Sequence, residues 1–233
     1  MSKRSKRYKK AAELVEEDKQ YALADAVGII KKFPAPKFDP TVTLAFKLGV
    51  DPRKSDQMVR GSVALPHGTG KNVKVVVFAS GEAAKAATDA GADEVGMEDL
   101  IKKVQEGFTD FDAAIATPDA MLEVRKIARV LGPRGLMPNP KTGTVTEDTA
   151  KAVNAVKAGR IDYKLDKNGN IAAAIGKASF SEDQLLANTH ALLESVVKAK
   201  PASAKGNYIQ NVTIAASMCP GVALESSLYA IVN

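Results

Sequence analysis

Two apolar segments with different periodicities constrain the fold of this chain more than any other feature. Thr41–Gly49 (TVTLAFKLG) places an apolar residue at every second position, which is typical of a strand with one buried and one open face. Val73–Ala79 (VKVVVFA) is an apolar run, as expected of a strand that is covered on both faces. The chain therefore combines a half-exposed sheet with a buried one.

The segments after the buried strand alternate between helix and strand. We predict helices over Gly81–Ala90, Glu98–Glu106, 118–130 and Glu147–Ala158, and strands over DEVG and Asp112–Ala116. Pro118 suits the first turn of its helix, and Gly159 marks the end of the last one. Repeated strand–helix units indicate a small parallel sheet with Rossmann-like winding.

The two ends of the chain have an α+β pattern instead. We predict helices over Tyr8–Asp18, Ala22–Phe33 and Ser181–Ala199, and strands over Met58–Leu65, Arg160–Asp166, Asn170–Ile175 and Tyr208–Ala216. Met58–Leu65 is the expected partner of the alternating strand, and the KNG sequence at 167–169 predicts a β-hairpin between its flanking strands. Periodicity alone does not show whether the two ends of the chain pair with each other.

Charge is distributed unevenly along the chain. It has 33 basic and 27 acidic residues, and six of the bases fall in Lys3–Lys10, so the remainder is neutral. Acids dominate 81–123, whereas bases dominate 31–74 and 125–177. This pattern favours an anion-binding face built from separated segments, and random scatter plus a solvated tail is the alternative.

Targeting and cysteine content limit the class of protein. The N-terminus has no secretory or transit pattern, and no run approaches the ~18 apolar residues that span a bilayer. We expect a cytoplasmic protein with no membrane partner. The single cysteine, Cys219, excludes an internal disulfide and argues against a cysteine-based zinc site.

The segment RVLGPRGLMPNPKTGTV (129–145) resembles a phosphate-binding loop, but it fails the chemical requirement. Pro140 stands where the motif needs its second glycine, and proline has no backbone N–H to donate to a phosphate. GTGK (68–71) lacks the first glycine of the motif, and no GxGxxG follows the first buried strand. His67 and His190 are isolated along the chain.

We therefore predict no catalytic residue, no metal, no cofactor and no small-molecule substrate. A Rossmann-like nucleotide or sugar-phosphate enzyme with a basic tail is kept as the alternative reading.

The same segment, RVLGPRGLMPNPKTGTV, resembles the signature of the bacterial large-subunit ribosomal protein one (L-one) family, which builds the mobile stalk beside the tRNA exit site. Three further stretches are similar to that family: KFDPTVTLAFKLGVDPRKSDQMVRGSVALPHGTGK, RIDYKLDKNGNIAAAIGKASF and KGNYIQNVTIAASMCPGV. The resemblance covers nearly the whole chain in order.

The resemblance implies a fold of two domains. A discontinuous α+β RNA-binding domain would be formed by 1–67 and 160–233, and an inserted Rossmann-like α/β/α domain by 68–159. It further implies a non-enzymatic ribosomal protein that binds large-subunit ribosomal RNA, assists release of exit-site tRNA and represses translation of its own operon mRNA. Off the ribosome, the protein would be a monomer.

The resemblance also implies which residues bind ribosomal RNA. They come from KFDPT near one end of the chain and from the last strand and SMCPG near the other: Lys37, Phe38, Thr41, Asn211, Ser217, Met218 and Cys219. Without the resemblance, Phe38 would be taken for a core residue. Candidates for tRNA contact are the basic residues Arg53, Lys54, Arg125, Arg129 and Lys167, each of which alone also fits a solvated charge.

The chain departs from the family pattern at two of these positions. Cys219 stands where glycine is usual, and a positive φ there would cost a residue with a Cβ roughly 1–2 kcal/mol. Asn211 stands where serine is common, which keeps the polarity but changes the reach of the side chain. We expect RNA binding to persist, and we predict that Cys219→Gly preserves or tightens it.

Overall fold

The computed structural model describes residues 4–16 and 18–225, without the side chain at position 141. The chain divides into two compact units. Unit 1 combines the chain up to Gly70 with the chain from Ile161 onward, and unit 2 is Lys71–Arg160. Within the described residues, no helix is both long and apolar enough to cross a membrane.

Unit 1 contains a four-stranded sheet, a two-stranded sheet and the helices that pack on them. Its helices are α1 (Lys6–Ala12), α2 (Leu23–Lys32) and α8 (Glu182–Lys198), with a 3₁₀ turn at Ser55–Gln57. Its strands are β1 (Thr41–Leu48), β2 (Arg60–Ala64), β6 (Arg160–Lys164), β7 (Asn170–Lys177), β8 (Ile209–Ala216) and β9 (Gly221–Ala223). Helix α8 begins with a full capping box formed by Ser181 and Gln184.

The large sheet has the order β7-β1-β8-β9, and β1 is antiparallel to both of its neighbours. Val42, Leu44, Phe46 and Leu48 are all buried, which confirms the alternation seen in the sequence. They belong to one core with the buried stripes of α2 and α8. Strands from both ends of the chain therefore meet in a single sheet.

Two pairing predictions in unit 1 are wrong. Strand β2 pairs with β6 in a separate two-stranded sheet, because β7 and β8 already occupy both edges of β1. The KNG turn does form, since the Asp166 N–H donates to the Asn170 carbonyl at 2.8 Å. The strands on either side of it then enter different sheets, so the turn does not close a regular hairpin. Helix α1 also differs from its prediction, because it begins at Lys6 and ends at Ala12.

A β-bulge interrupts the pairing of β1 with β7. The register shifts between Val42 and Thr43, where Val42 lies opposite Gly176 and Thr43 opposite Ala174. Gly176 has φ +154°, and a Cβ built on it would lie 2.8 Å from the Phe180 ring, so this position requires glycine. The extra residue re-aims the end of β7, and Lys177 comes to lie opposite Thr41.

Unit 2 contains a parallel sheet with helices on both faces. Its strands are β3 (Val75–Phe78), β4 (Glu94–Gly96) and β5 (Ala113–Ala116), in the order β4-β3-β5. Its helices are α3 (Gly81–Asp89), α4 (Glu98–Gln105), α5 (Met121–Val124), α6 (Ala128–Arg134) and α7 (Thr149–Lys157), with 3₁₀ turns at Arg125–Ile127 and Pro140–Thr142.

The central strand of unit 2 is buried on both faces, as its apolar run predicts. Val76 and Phe78 pack into one apolar cluster, and Val75 and Val77 pack into another on the opposite face. The helix predicted from Pro118 to Val130 is wrong in its bounds. It begins at Met121, passes through a 3₁₀ turn and continues to Arg134, where Gly135 ends it with φ +73°.

Candidate RNA-binding surface

Thr41 lies where the two distant ends of unit 1 meet. The Ser217 N–H donates to the Thr41 carbonyl at 3.0 Å, and the Ser217 hydroxyl donates to the same oxygen at 3.2 Å. The Lys177 Nζ donates to the Thr41 Oγ1 at 2.9 Å. We call these three half-buried residues the Thr41 cluster. Two of them were predicted from the sequence, and Lys177 was not.

The hydrogen bonds inside the Thr41 cluster decide what it still offers a ligand. Because the Ser217 hydroxyl donates its hydrogen bond to the Thr41 carbonyl, the Ser217 oxygen can still accept one from a ligand. The Thr41 hydroxyl accepts from Lys177 and still has its own proton to donate. The Lys177 ammonium retains two further N–H donors and its positive charge. The cluster therefore presents a donor, an acceptor and a cation side by side.

Phe38 lies beside the cluster on an exposed loop. Its side chain is 48% exposed, so the reading of Phe38 as a core residue is wrong, and Lys37 next to it is also exposed. Phe38 lines an open groove of about 520 Å³, which we call the Phe38 groove. The walls of this groove come from the end of α2, the proline-rich segment after it, the loop after β7 and Cys219.

Met218 and Cys219 form the turn that follows β8. Met218 has φ +62° and is 67% exposed, whereas Cys219 does not have a positive φ. The strain considered for Cys219 therefore lies one residue earlier. Cys219 is half-buried and packs against the core of unit 1. Burial raises the pKa of the Cys219 thiol, and the positive charge of Arg7 opposes that shift.

Asn211 is exposed at the far end of β8 from Ser217. The two are six residue steps apart along an extended strand, which is about 20 Å. Asn211 lines a different groove, together with Arg4 and Tyr8 from the N-terminal segment. The structure therefore does not bring Asn211 together with the other residues predicted to bind ribosomal RNA.

The basic N-terminal segment is folded rather than loose over much of its length. Ser5 caps α1 by accepting from the Tyr8 N–H at 3.2 Å, and the Arg4 guanidinium lies 5.1 Å from the centre of the Tyr8 ring. Arg7 is close enough to Cys219 to affect its pKa, so basic charge lies near the turn after β8. Lys3, the first base of this segment, lies outside the described residues.

The five basic candidates for tRNA contact are all exposed, and they fall on both units. Arg53 and Lys54 follow Pro52, and Lys167 lines the same small groove as Pro52, so these three belong to one end of unit 1. Arg125 and Arg129 are one helical turn apart in unit 2. No ion pair of Arg125 or Arg129 occurs among the described residues, whereas Lys126 between them pairs with Glu123 at 2.5 Å.

The glycine-rich segment of unit 2 does not have the geometry of a phosphate-binding loop. Its first third is helix α6, and Pro140 begins a 3₁₀ turn. Thr142 and Thr144 direct their hydroxyls to the Asn139 carbonyl at 3.1 and 3.2 Å, so this loop is closed by its own side chains. The side chain of Lys141, which the sequence match would require, is outside the described part of the chain.

A comparison with protein-family models identifies residues 30–220 as a match to the ribosomal protein L1p/L10e family. The chain belongs to this family. The resemblance recognised in the sequence is therefore confirmed, and the match spans most of the chain, including both KFDPT and Ser217–Pro220. The protein is a structural component of the large ribosomal subunit that binds ribosomal RNA, and it is not an enzyme. The alternative reading as a Rossmann-like enzyme is not favoured.

Sequence reasoning missed three polar residues beside the predicted surface: Lys177, Asp39 and Ser179. Lys177 continues the period-two pattern of Ile171, Ala173 and Ile175, which would place it on the buried face; only the bulge reverses this. Asp39 lies between predicted residues, but an acid is not an obvious ligand for RNA. Its proximity to Ser179, 140 residues later, has no signal in the sequence.

Proposed function

We propose that this family member binds large-subunit ribosomal RNA through the Thr41 cluster, Lys37, the Phe38 groove and the turn at Met218–Cys219. The observation that carries the proposal is the pair of hydrogen bonds by which Ser217 holds Thr41. They join KFDPT to SMCPG, the two segments that the family resemblance assigns to RNA. Asn211 would contribute only to an RNA that extends along the sheet.

The chemistry of the Thr41 cluster suits a ribose. A 2′-hydroxyl is both donor and acceptor, and the cluster offers the Thr41 proton beside the Ser217 oxygen. Lys37 and Lys177 supply positive charge for neighbouring phosphates. Phe38 and Met218 supply exposed apolar surface on which unstacked bases can pack. Shape, sugar and backbone are read together, which is the usual way in which folded RNA is recognised.

We further propose the two-domain arrangement that the family resemblance implies. A discontinuous α+β RNA-binding domain would comprise 1–67 and 160–233, and an inserted Rossmann-like α/β/α domain would comprise 68–159. The division into unit 1 and unit 2 supports this proposal, with crossings near Gly70 and Arg160. In the cytoplasm the protein would be ribosome-bound in the mobile stalk, and a monomer when free.

Two regulatory roles complete the proposal. The exposed bases Arg53, Lys54 and Lys167 in unit 1, and Arg125 and Arg129 in unit 2, would contact exit-site tRNA and assist its release. The surface that binds ribosomal RNA would also bind a similar structure in the mRNA of its own operon and repress its translation. A reporter preceded by that mRNA leader should be repressed by the wild-type protein and released by a variant that no longer binds ribosomal RNA.

Replacing one hydroxyl tests the proposed ribosomal RNA surface. Thr41→Val keeps the shape of the side chain and removes the proton that would be donated to ribose, so we expect its affinity for the stalk fragment of ribosomal RNA to fall about tenfold in filter binding. Thr213→Val is the matched control, because Thr213 is also half-buried on the sheet, four residues from Ser217. Equal affinities of the two variants would contradict the proposed surface.

A further inference from the structure

An acid within a surface for RNA needs an explanation. Asp39 is exposed and lies two residues from both Lys37 and Thr41 in the sequence. Its charge repels the phosphates that Lys37 and Lys177 attract, so simple electrostatics disfavours an acid here. Asp39 also lines the Phe38 groove, together with Phe38 and Cys219.

The Asp39 carboxylate is held in one orientation. The Ser179 N–H donates to its Oδ1 at 3.2 Å, and the Ser179 hydroxyl donates to its Oδ2 at 2.7 Å. The Ala178 N–H donates to the adjacent Pro40 carbonyl at 2.9 Å, which fixes the loop itself. A carboxylate has about four acceptor sites, so two remain after Ser179 is satisfied. The groove therefore contains a pre-oriented acceptor that can take two further hydrogen bonds.

Apart from Lys31 and Ser179, the remaining walls of the groove are mostly apolar. Ile30, Phe33 and Pro36 line it opposite the loop after β7, and Phe38 adds an exposed aromatic ring. Its volume of about 520 Å³ falls in the range that suits a small planar ligand. A purely apolar occupant would remove water from the Asp39 charge without replacing its hydrogen bonds, which is unfavourable. The occupant must therefore combine a flat apolar body with donor groups on one edge.

We propose that the Phe38 groove takes an unpaired guanine base of the bound RNA, which stacks against Phe38 while Asp39 accepts hydrogen bonds from the N1–H and the exocyclic N2 amine. Guanine is the RNA base with two adjacent donors on its Watson–Crick edge, and an ionised carboxylate only accepts. The groove adjoins the Thr41 cluster through the Pro40–Thr41 peptide, so the same RNA can reach both. The inference rests on the proposed ribosomal RNA surface and adds a base-specific contact to it.

Asp39→Asn should change the affinity for ribosomal RNA in opposite directions under the two explanations of this acid. The amide keeps a hydrogen bond with Ser179 and has nearly the same shape, but it removes the charge and one acceptor. If Asp39 only repels phosphates, the variant binds the stalk fragment of ribosomal RNA more tightly. If Asp39 reads guanine, affinity falls about tenfold or more. Asp183→Asn is the charge-matched control, since it removes an exposed acid from the first turn of α8 and should not weaken binding.

The base itself can be identified with inosine, which lacks the exocyclic amine of guanine. The stalk fragment is transcribed with a low level of phosphorothioate-tagged inosine, and bound and free RNA are cleaved at the tags. We expect at least one guanosine at which inosine interferes with binding to the wild type but not to Asp39→Asn.

Identical interference patterns for two proteins that both bind, or tighter binding by Asp39→Asn, would overturn the guanine contact alone. Failure of the wild type to bind the fragment would overturn the proposed surface, and the guanine contact with it.

Discussion

Met218 is the residue at which backbone strain and RNA contact can be separated. Its φ of +62° costs a residue with a Cβ about 1–2 kcal/mol in the folded state, and glycine relieves that strain. Glycine also makes the unfolded chain more flexible, which offsets about 0.5–1 kcal/mol of the gain in stability. Because its side chain is 67% exposed, truncation removes only about a third of the ~1.5–3 kcal/mol that full burial would contribute. Met218→Ala should therefore lose about 0.5–1 kcal/mol, and Met218→Gly should regain about 1 kcal/mol relative to alanine.

Urea unfolding and thermal melting of the two variants measure this difference. About 1 kcal/mol corresponds to roughly 2–4 °C in melting temperature for a chain of this size. Both variants lack the thioether side chain, so both should lose affinity for ribosomal RNA by the same factor. A glycine variant no more stable than the alanine variant would refute the assignment of strain to Met218. Recovery of RNA affinity in the glycine variant alone would show that the side chain is not the contact.

Three further outcomes follow from other contacts. Asn188→Ala should destabilise unit 1 by about 2–4 kcal/mol in urea unfolding, because the buried amide accepts from the His67 N–H and donates to the Gly68 and Ile175 carbonyls. His190→Ala, on the exposed face of α8, should change the stability little. The backbone N–H groups of Asn170 and Asn168 lower the pKa of Asp166, so the stability advantage of wild type over Asp166→Ala should be largest near neutral pH. It should shrink as the pH falls from the ordinary carboxylate pKa of about 3.9 through the lower pKa of the folded state. Burial raises the pKa of the Cys219 thiol, so N-ethylmaleimide should modify the free protein slowly at pH 8. Bound ribosomal RNA should slow the modification further, and equal rates for the free and the RNA-bound protein would place the RNA elsewhere.

Strands β1 and β3 could be predicted from the sequence because their burial patterns are simple, whereas β9 was not predicted. Strand β1 faces solvent on one side and alternates, whereas β3 is covered on both sides and does not. Which strands pair with each other was harder to predict, because an apolar pattern indicates burial but not the identity of the neighbouring strand. Met58–Leu65 matched β1 in character, yet β7 and β8, more than 100 residues away, occupy both edges of β1.

The candidate site was predictable only in part for a similar reason. Thr41 and Ser217 were found through the family resemblance, whereas Lys177 depends on a bulge that a period-two reading cannot include. The family pattern, with glycine usual at position 219, suggests a positive φ there, but the structure has the positive φ at Met218. A methionine in the sequence does not signal a left-handed turn. Nothing in the sequence marks Asp39 as a site residue, because the two hydrogen bonds that orient its carboxylate come from Ser179, 140 residues away.

Hydrogen–deuterium exchange on the full-length protein, with and without the stalk fragment of ribosomal RNA, tests the proposed surface most directly. We predict that bound RNA slows backbone N–H exchange in the peptides 37–41 and 216–219, which come from opposite ends of the chain, and leaves unit 2 unchanged. Protection confined to unit 2, or bound RNA with no protection of either peptide, would contradict it.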